Sequence, residues 1–198
     1  MGVSIDDIRK LKELTGVGLT DAKVALVEAD GDFDKALEAM RKKGLTKAEK
    51  KGDRETREGI IDSYVHSSRI GVVIEVNCET DFVARLDEFK ELAHQLAMQV
   101  AAMSPKYVSF DDIPTEDYEA KKAELLAGDS LKGKPADMAE KIVEGQLKKH
   151  FGEQVLLAQT YVLDDSMTVE GRIKQQIAKS GENITIGQFK RIELGVTE

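Results

Sequence analysis

The chain has 198 residues, 41% of them hydrophobic and 33% charged, with no run of about 18 apolar residues long enough to span a bilayer. Its 29 basic and 37 acidic side chains leave a net charge of −8, which argues against long-range attraction of the whole surface to nucleic acid. The single cysteine cannot form an internal disulfide and no secretion-type h-region is visible, so a reduced, cytoplasmic setting is expected.

The first 44 residues punctuate into three short helices. Ser4 with Asp7 reads as an N-cap and an acidic first turn ahead of Ile8, Leu11 and Leu14. The TGVG run from Thr15 to Gly18 is a turn, after which Ala22, Ala25, Leu26 and Ala29 repeat at helical spacing until Asp30 and Gly31. Asp32 caps a third stripe of Phe33, Ala36, Leu37 and Met40, and Gly44 stands where a C′ glycine ends a helix. Residues 45–58 are rich in Ala, Lys, Glu and Arg and predict a charged helical connector, and the stretch from Arg41 to Glu58 is locally positive through Arg41, Lys42, Lys43, Lys47, Lys50, Lys51, Arg54 and Arg57. It carries no aromatic residue for base stacking and interleaves Glu49, Asp53, Glu55 and Glu58, so no direct nucleic-acid contact is expected.

From Gly59 the pattern turns to β. Ile60, Ile61, Tyr64 and Val65, a turn at Ser67 to Arg69, and Gly71 to Cys78 predict an antiparallel hairpin. Val72, Ile74, Val76 and Cys78 share one face by alternation, opposite Val73, Glu75 and Asn77. After Asp81, the stripe Leu86, Phe89, Leu92, Ala93, Leu96, Ala97, Val100 and Met103 predicts a helix that covers the hairpin and stops at Pro105. Tyr107 to Phe110 reads as extended, Thr115 to Leu126 and Pro135 to Phe151 as helices, and Val155 to Leu163 as an apolar run. A short helix near Val169 to Lys179 precedes a strand with Ile184, Ile186, Phe189, Ile192 and Leu194, where Phe189 breaks the even-numbered row and predicts a bulge or register change. The fold class is therefore α+β: a three-helix module at 1–44, the connector at 45–58, and a core of antiparallel sheet covered by helices at 59–198.

The stretch NCETDFVAR, 77–85, concentrates candidate chemistry. Cys78 continues an apolar row and His66 lies at the far end of the predicted hairpin, so a Cys/His nucleophile pair is not expected and a buried structural thiol is. One cysteine and the scattered His66, His94 and His150 give no zinc spacing, and neither GxGxxG nor GxxxxGK[ST] occurs, so no metal or cofactor is expected. Glu79 and Asp81 lean toward a hard cation only weakly. At such a strand-to-helix junction an acid serves as an N-cap and a following phenylalanine packs under its own helix, or both act on something outside. Composition leaves that open.

The chain resembles the bacterial elongation factor Ts family nearly end to end. The resemblance rests on LKELTGVGLTDAKVALVEADGDFDKALEAMRKKG at Leu11 to Gly44, RIGVVIEVNCETDFVAR at Arg69 to Arg85, GKPADMAEKIVEGQLKK at Gly133 to Lys149 and GENITIGQFKRIELG at Gly181 to Gly195. It implies a non-enzymatic guanine nucleotide exchange factor of translation elongation, acting on elongation factor Tu bound to GDP, with an N-terminal ubiquitin-associated-like module. It also implies that Thr80, Asp81, Phe82 and Val83 disturb the partner's Mg²⁺ and phosphate site, Phe82 as a wedge and Asp81 beside the metal. His66 in HSSRIG, and Val17, Gly18, Leu19 and Lys23 in the helical module, resemble further contacts. Longer members carry a duplicated core, so one core per chain implies a homodimer. Departures fall at Gly187 and Gln188, where a basic pair is usual, and at LLAQTYV, where a proline-containing version is usual.

Overall fold

The computed structural model describes residues 3–15, 18–128 and 136–196. Three helices open the chain: α1 (Ile5–Thr15), α2 (Leu19–Glu28) and α3 (Phe33–Glu49). Ser4 Oγ accepts from the Asp6 N–H at 3.2 Å and Asp32 Oδ1 from the Lys35 N–H at 3.1 Å, each meeting a donor that the first helical turn leaves free. Leu11, Ala22, Ala25, Leu26, Ala36 and Met40 are buried together as the small core of this module.

Gly44 does not end α3. The helix runs on to Glu49, and the missing side chain is used for packing: a Cβ on Gly44 would lie 3.3 Å from the Ala178 Cβ, on α8 (Val169–Ser180). Two small residues let the helices cross closely. Beyond the crossing, Ala48 is buried in the main core, so one helix feeds both clusters. The expected helical connector is helical only through 49; residues 50–57 turn and then extend, starting near Gly52, a poor helix former.

The main core lies on a three-stranded antiparallel sheet of order β1 (Glu58–His66), β2 (Ile70–Cys78) and β5 (Ile184–Glu193). Ser67 and Ser68, at φ of +49° and +56°, are the central residues of a tight turn closed by the Arg69 N–H on the His66 carbonyl at 2.9 Å, within the three-residue connection between paired His66 and Ile70. As alternation predicts, Val72, Ile74, Val76 and Cys78 face inward, under Phe89, Leu92, Ala93, Leu96, Ala97 and Val100 of α5 (Asp87–Met103). The irregularity expected at Phe189 is a bulge: Ile74 pairs with Phe189 and Val76 with Ile186, so Gly187 and Gln188 together oppose Glu75. A Cβ on Gly187 would meet the Glu75 carboxyl carbon at 2.6 Å. That room lets Glu75 accept from Asn77 Nδ2 at 3.0 Å and Gln188 Nε2 at 3.1 Å, bonds that lower its pKa below the usual carboxylate range. Gly187 and Gln188 thus have a local physical role in this chain.

A third cluster joins α6 (Thr115–Leu126) and α7 (Ala136–Gly152) through Val143, Leu147 and Phe151, with Tyr118 stacked on Phe151 at 5.9 Å. Pro135, expected in the first turn of this last helix, lies outside the described residues. The apolar run at 155–163 holds a single 3-10 turn and β3 (Thr160–Tyr161), which pairs with β4 (Asp164–Thr168). Buried Gln99 of α5 holds this piece, donating to Gln159 Oε1 and the Thr160 carbonyl at 3.1 Å each and accepting from the Val162 N–H at 2.8 Å. Among the described residues, no helix is long and apolar enough to cross a membrane.

Candidate functional site

Strand β2 delivers the chain to the candidate site through Cys78, which is fully buried. Its Sγ donates to the Thr80 carbonyl at 3.2 Å, and burial, reinforced by the Glu182 charge, pushes the thiol up to about 11. A thiol so protonated and enclosed is a packing group. The hairpin register pairs Glu58 with Cys78 and His66 with Ile70, leaving His66 at the opposite end of β2. At 3.3 Å per residue that is about 26 Å away.

The next residues form a single helical turn, α4 (Asp81–Ala84). Its N-cap is Thr80, not Asp81: Thr80 has extended backbone, and its Oγ1 faces the Val83 N–H at 3.5 Å. Asp81 is the first helical residue, and its carboxylate pairs with Arg85 at 2.8 Å on the surface. Val83 and Ala84 turn into the main core, anchoring the turn from below. The helical rotation that buries Val83 carries Phe82 outward. Phe82 does not pack under its own helix; it is 77% exposed, more than any other large hydrophobic side chain among the described residues. Leaving such a ring in water forgoes about 1.5–3 kcal/mol of burial.

One carboxylate from a distant loop braces this turn, and a second, just before the cap, ties the chain to the same loop. Glu182 takes both the Thr80 N–H (3.0 Å) and the Thr80 hydroxyl (2.6 Å). Glu79, weighed from sequence as a weak cation ligand, instead accepts from the Asn183 N–H at 2.6 Å and from Arg54 at 3.4 Å. Thr80, Asp81, Phe82 and Val83 therefore form one compact, externally supported projection.

With that geometry in place, comparison with known proteins is decisive. The family model for Elongation factor TS matches residues 38–196. The chain is 55% identical to elongation factor Ts of Thermotoga neapolitana, over 98% of both chains. It is 49% identical to the Fervidobacterium nodosum protein of that name, over 98% of this chain and all of the other, and 46% identical to that of Caldanaerobacter subterraneus, over 98% and 97%. The chain belongs to the elongation factor Ts family.

The remaining residues that the resemblance to elongation factor Ts singles out lie elsewhere. His66 is exposed at the hairpin turn, where the Tyr64 hydroxyl lies 3.0 Å from its Nδ1. Gly18, Leu19 and Lys23 are exposed at the start of α2, while Val17 lies outside the described residues. The hairpin turn that carries His66 and the α4 turn that carries Phe82 stand at opposite ends of β2. What sequence reading missed was Glu182 and Asn183. The only signal was their place in the GENITIGQF run, more than a hundred residues from the turn they support.

Proposed function

We propose that this chain is a guanine nucleotide exchange factor of translation elongation, which binds elongation factor Tu in its GDP form and promotes GDP release without covalent chemistry. One observation carries the reading: Phe82, the most exposed large apolar side chain among the described residues, stands on a braced turn beside a carboxylate. Entering an apolar pocket of the GTPase, the ring recovers about 1.5–3 kcal/mol, enough to offset distortion of the site that holds Mg²⁺ and the phosphates. Asp81 brings negative charge beside that metal. Binding and nucleotide affinity are linked reciprocally, so a factor that weakens GDP is itself weakened by GDP and is displaced when nucleotide rebinds.

In this reading residues 1–44 are a ubiquitin-associated-like docking module, 45–58 a connector and 59–198 the core. Gly18, Leu19 and Lys23, with Val17, and His66 are secondary contacts. The setting is cytoplasmic, and the working unit is a homodimer in which a second copy covers the open sheet face of Ile61, Val65, Val73, Ile192 and Leu194. Those side chains are apolar and exposed, as a surface awaiting a protein partner would be.

The test follows labelled GDP dissociating from elongation factor Tu with wild-type factor and with Phe82→Ala. Stimulation is expected to fall about ten- to hundredfold, the rate equivalent of the lost burial, with only partial loss of association. Stimulation unchanged by the substitution would overturn the proposal.

A further inference from the structure

A helix of four residues cannot hold its own shape, since one turn fixes several dihedral angles for a single backbone hydrogen bond. Whatever orients Phe82 must come from elsewhere in the fold. Two supports meet there. Val83 and Ala84 fix the floor of the turn, and the loop between α8 and β5 fixes its leading edge.

That loop is built to keep still. Gly181 closes α8 in the left-handed region at φ +82°, with its N–H on the Ile177 carbonyl. Its own carbonyl accepts from Lys51 Nζ. Asn183, almost completely buried, bonds in two directions: its N–H to Glu79, and its side-chain amide to the Gly52 carbonyl at 3.2 Å and the Arg54 carbonyl at 2.8 Å. Between these anchored neighbours stands the Glu182 carboxylate. One oxygen takes the Thr80 N–H and the other the Thr80 hydroxyl proton. A hydroxyl has one proton; once Glu182 holds it, only lone pairs remain to face the Val83 N–H, which is the orientation the cap needs.

We infer that Glu182 is the positioning residue of the Phe82 turn, acting through Thr80, and that Asn183 ties it to the chain segment at Gly52 and Arg54. The inference rests on the reading of Phe82 as the group that enters the partner. A ring held in its working direction before contact loses less freedom on binding, so the brace acts on stimulation through preorganisation. Charge-assisted bonds suit the role, being roughly twice as strong as neutral ones.

The test replaces Glu182 by Gln in the full chain. The amide keeps the shape but has one acceptor oxygen, so one of the two Thr80 donors meets an NH₂ group. Hydrogen exchange at the Thr80 and Val83 amides is expected to quicken about tenfold or more, while Val72, Ile74 and Val76 in β2 stay protected. Stimulated GDP release is expected to fall about three- to tenfold, with no further fall when Glu182→Gln is added to Phe82→Ala. Unchanged exchange at Thr80 and Val83, or an equal further loss in the Phe82→Ala background, would overturn the inference. Faster amide exchange, combined with full stimulation by Phe82→Ala, would leave the brace standing and remove the wedge. Should Glu182→Gln not fold, Glu182→Asp serves: its carboxylate sits one carbon further back, and an unaltered Thr80 amide there would equally refute positioning.

Discussion

The two faces of the β1–β2–β5 sheet are made by the same strands and differ in what lies on them. On the inner face Val72, Ile74, Val76 and Cys78 meet α5, with Ile184, Ile186 and Phe189 kept inward by the bulge. On the outer face Ile61 and Ile192 are 73% and 74% exposed, alongside Val65, Val73 and Leu194. Alternation alone produces both rows, so a strand pattern shows which residues travel together and not which face is covered. The inner face serves stability; the outer face and Phe82 leave apolar surface exposed.

The contrast can be broken most forcefully from inside. Phe89→Ala, at a fully buried position in α5, is expected to cost about 3–5 kcal/mol in denaturant unfolding, whereas Phe82→Ala leaves unfolding within about 0.5 kcal/mol. Equal losses at the two phenylalanines would erase the distinction. On the outer face, Ile61→Asp combined with Ile192→Asp is expected to convert the proposed homodimer to monomer in sedimentation, with circular dichroism unchanged. A sedimentation coefficient that does not move would remove this face from self-association.

Smaller effects sharpen the picture. Cys78→Ala is expected to cost about 1–2 kcal/mol at neutral pH as a small cavity. Its pH dependence carries more information. The folded thiol titrates at about 11, above the ordinary thiol, so the folded state keeps a proton that the unfolded chain gives up. The stability this provides is complete below the ordinary thiol range and is lost as pH rises toward 11. Urea midpoints of wild type should therefore fall more steeply than those of Cys78→Ala between about pH 9 and 11; parallel curves would contradict a buried thiol. The smallest effect is local: Gly187→Ala should displace the Glu75 carboxylate from Asn77 and Gln188, and NMR titration should show its pKa rising toward the usual range.

Much of the fold was legible because it obeys local periods. The hairpin, the inner row from Val72 to Cys78, the α5 stripe and the irregularity at Phe189 all follow from spacing. Three features did not. Gly44 has the chemistry of a helix terminator, and only its contact with Ala178 explains why α3 passes through it. Strand β4, with the sequence DDSMT, has no apolar alternation; it exists beside β3, whose chain Gln99 of α5 pins with side-chain hydrogen bonds. At the candidate site, Thr80 and Asp81 are both competent caps, and a carboxylate 102 residues away favours Thr80. The outward direction of Phe82 depends on that choice and on the burial of Val83, which nine residues of local sequence cannot specify.

The continuity of α3 reaches beyond packing. Because one unbroken helix joins the N-terminal cluster to the main core, a single inserted residue between Gly44 and Ala48 would swing α1 and α2 by about 100° around its axis and advance them by about 1.5 Å. The span between the start of α2 and Phe82 is thus gauged by the residue count of a rigid rod, and insertions there would scramble the spacing of the two ends where a loose tether would absorb them.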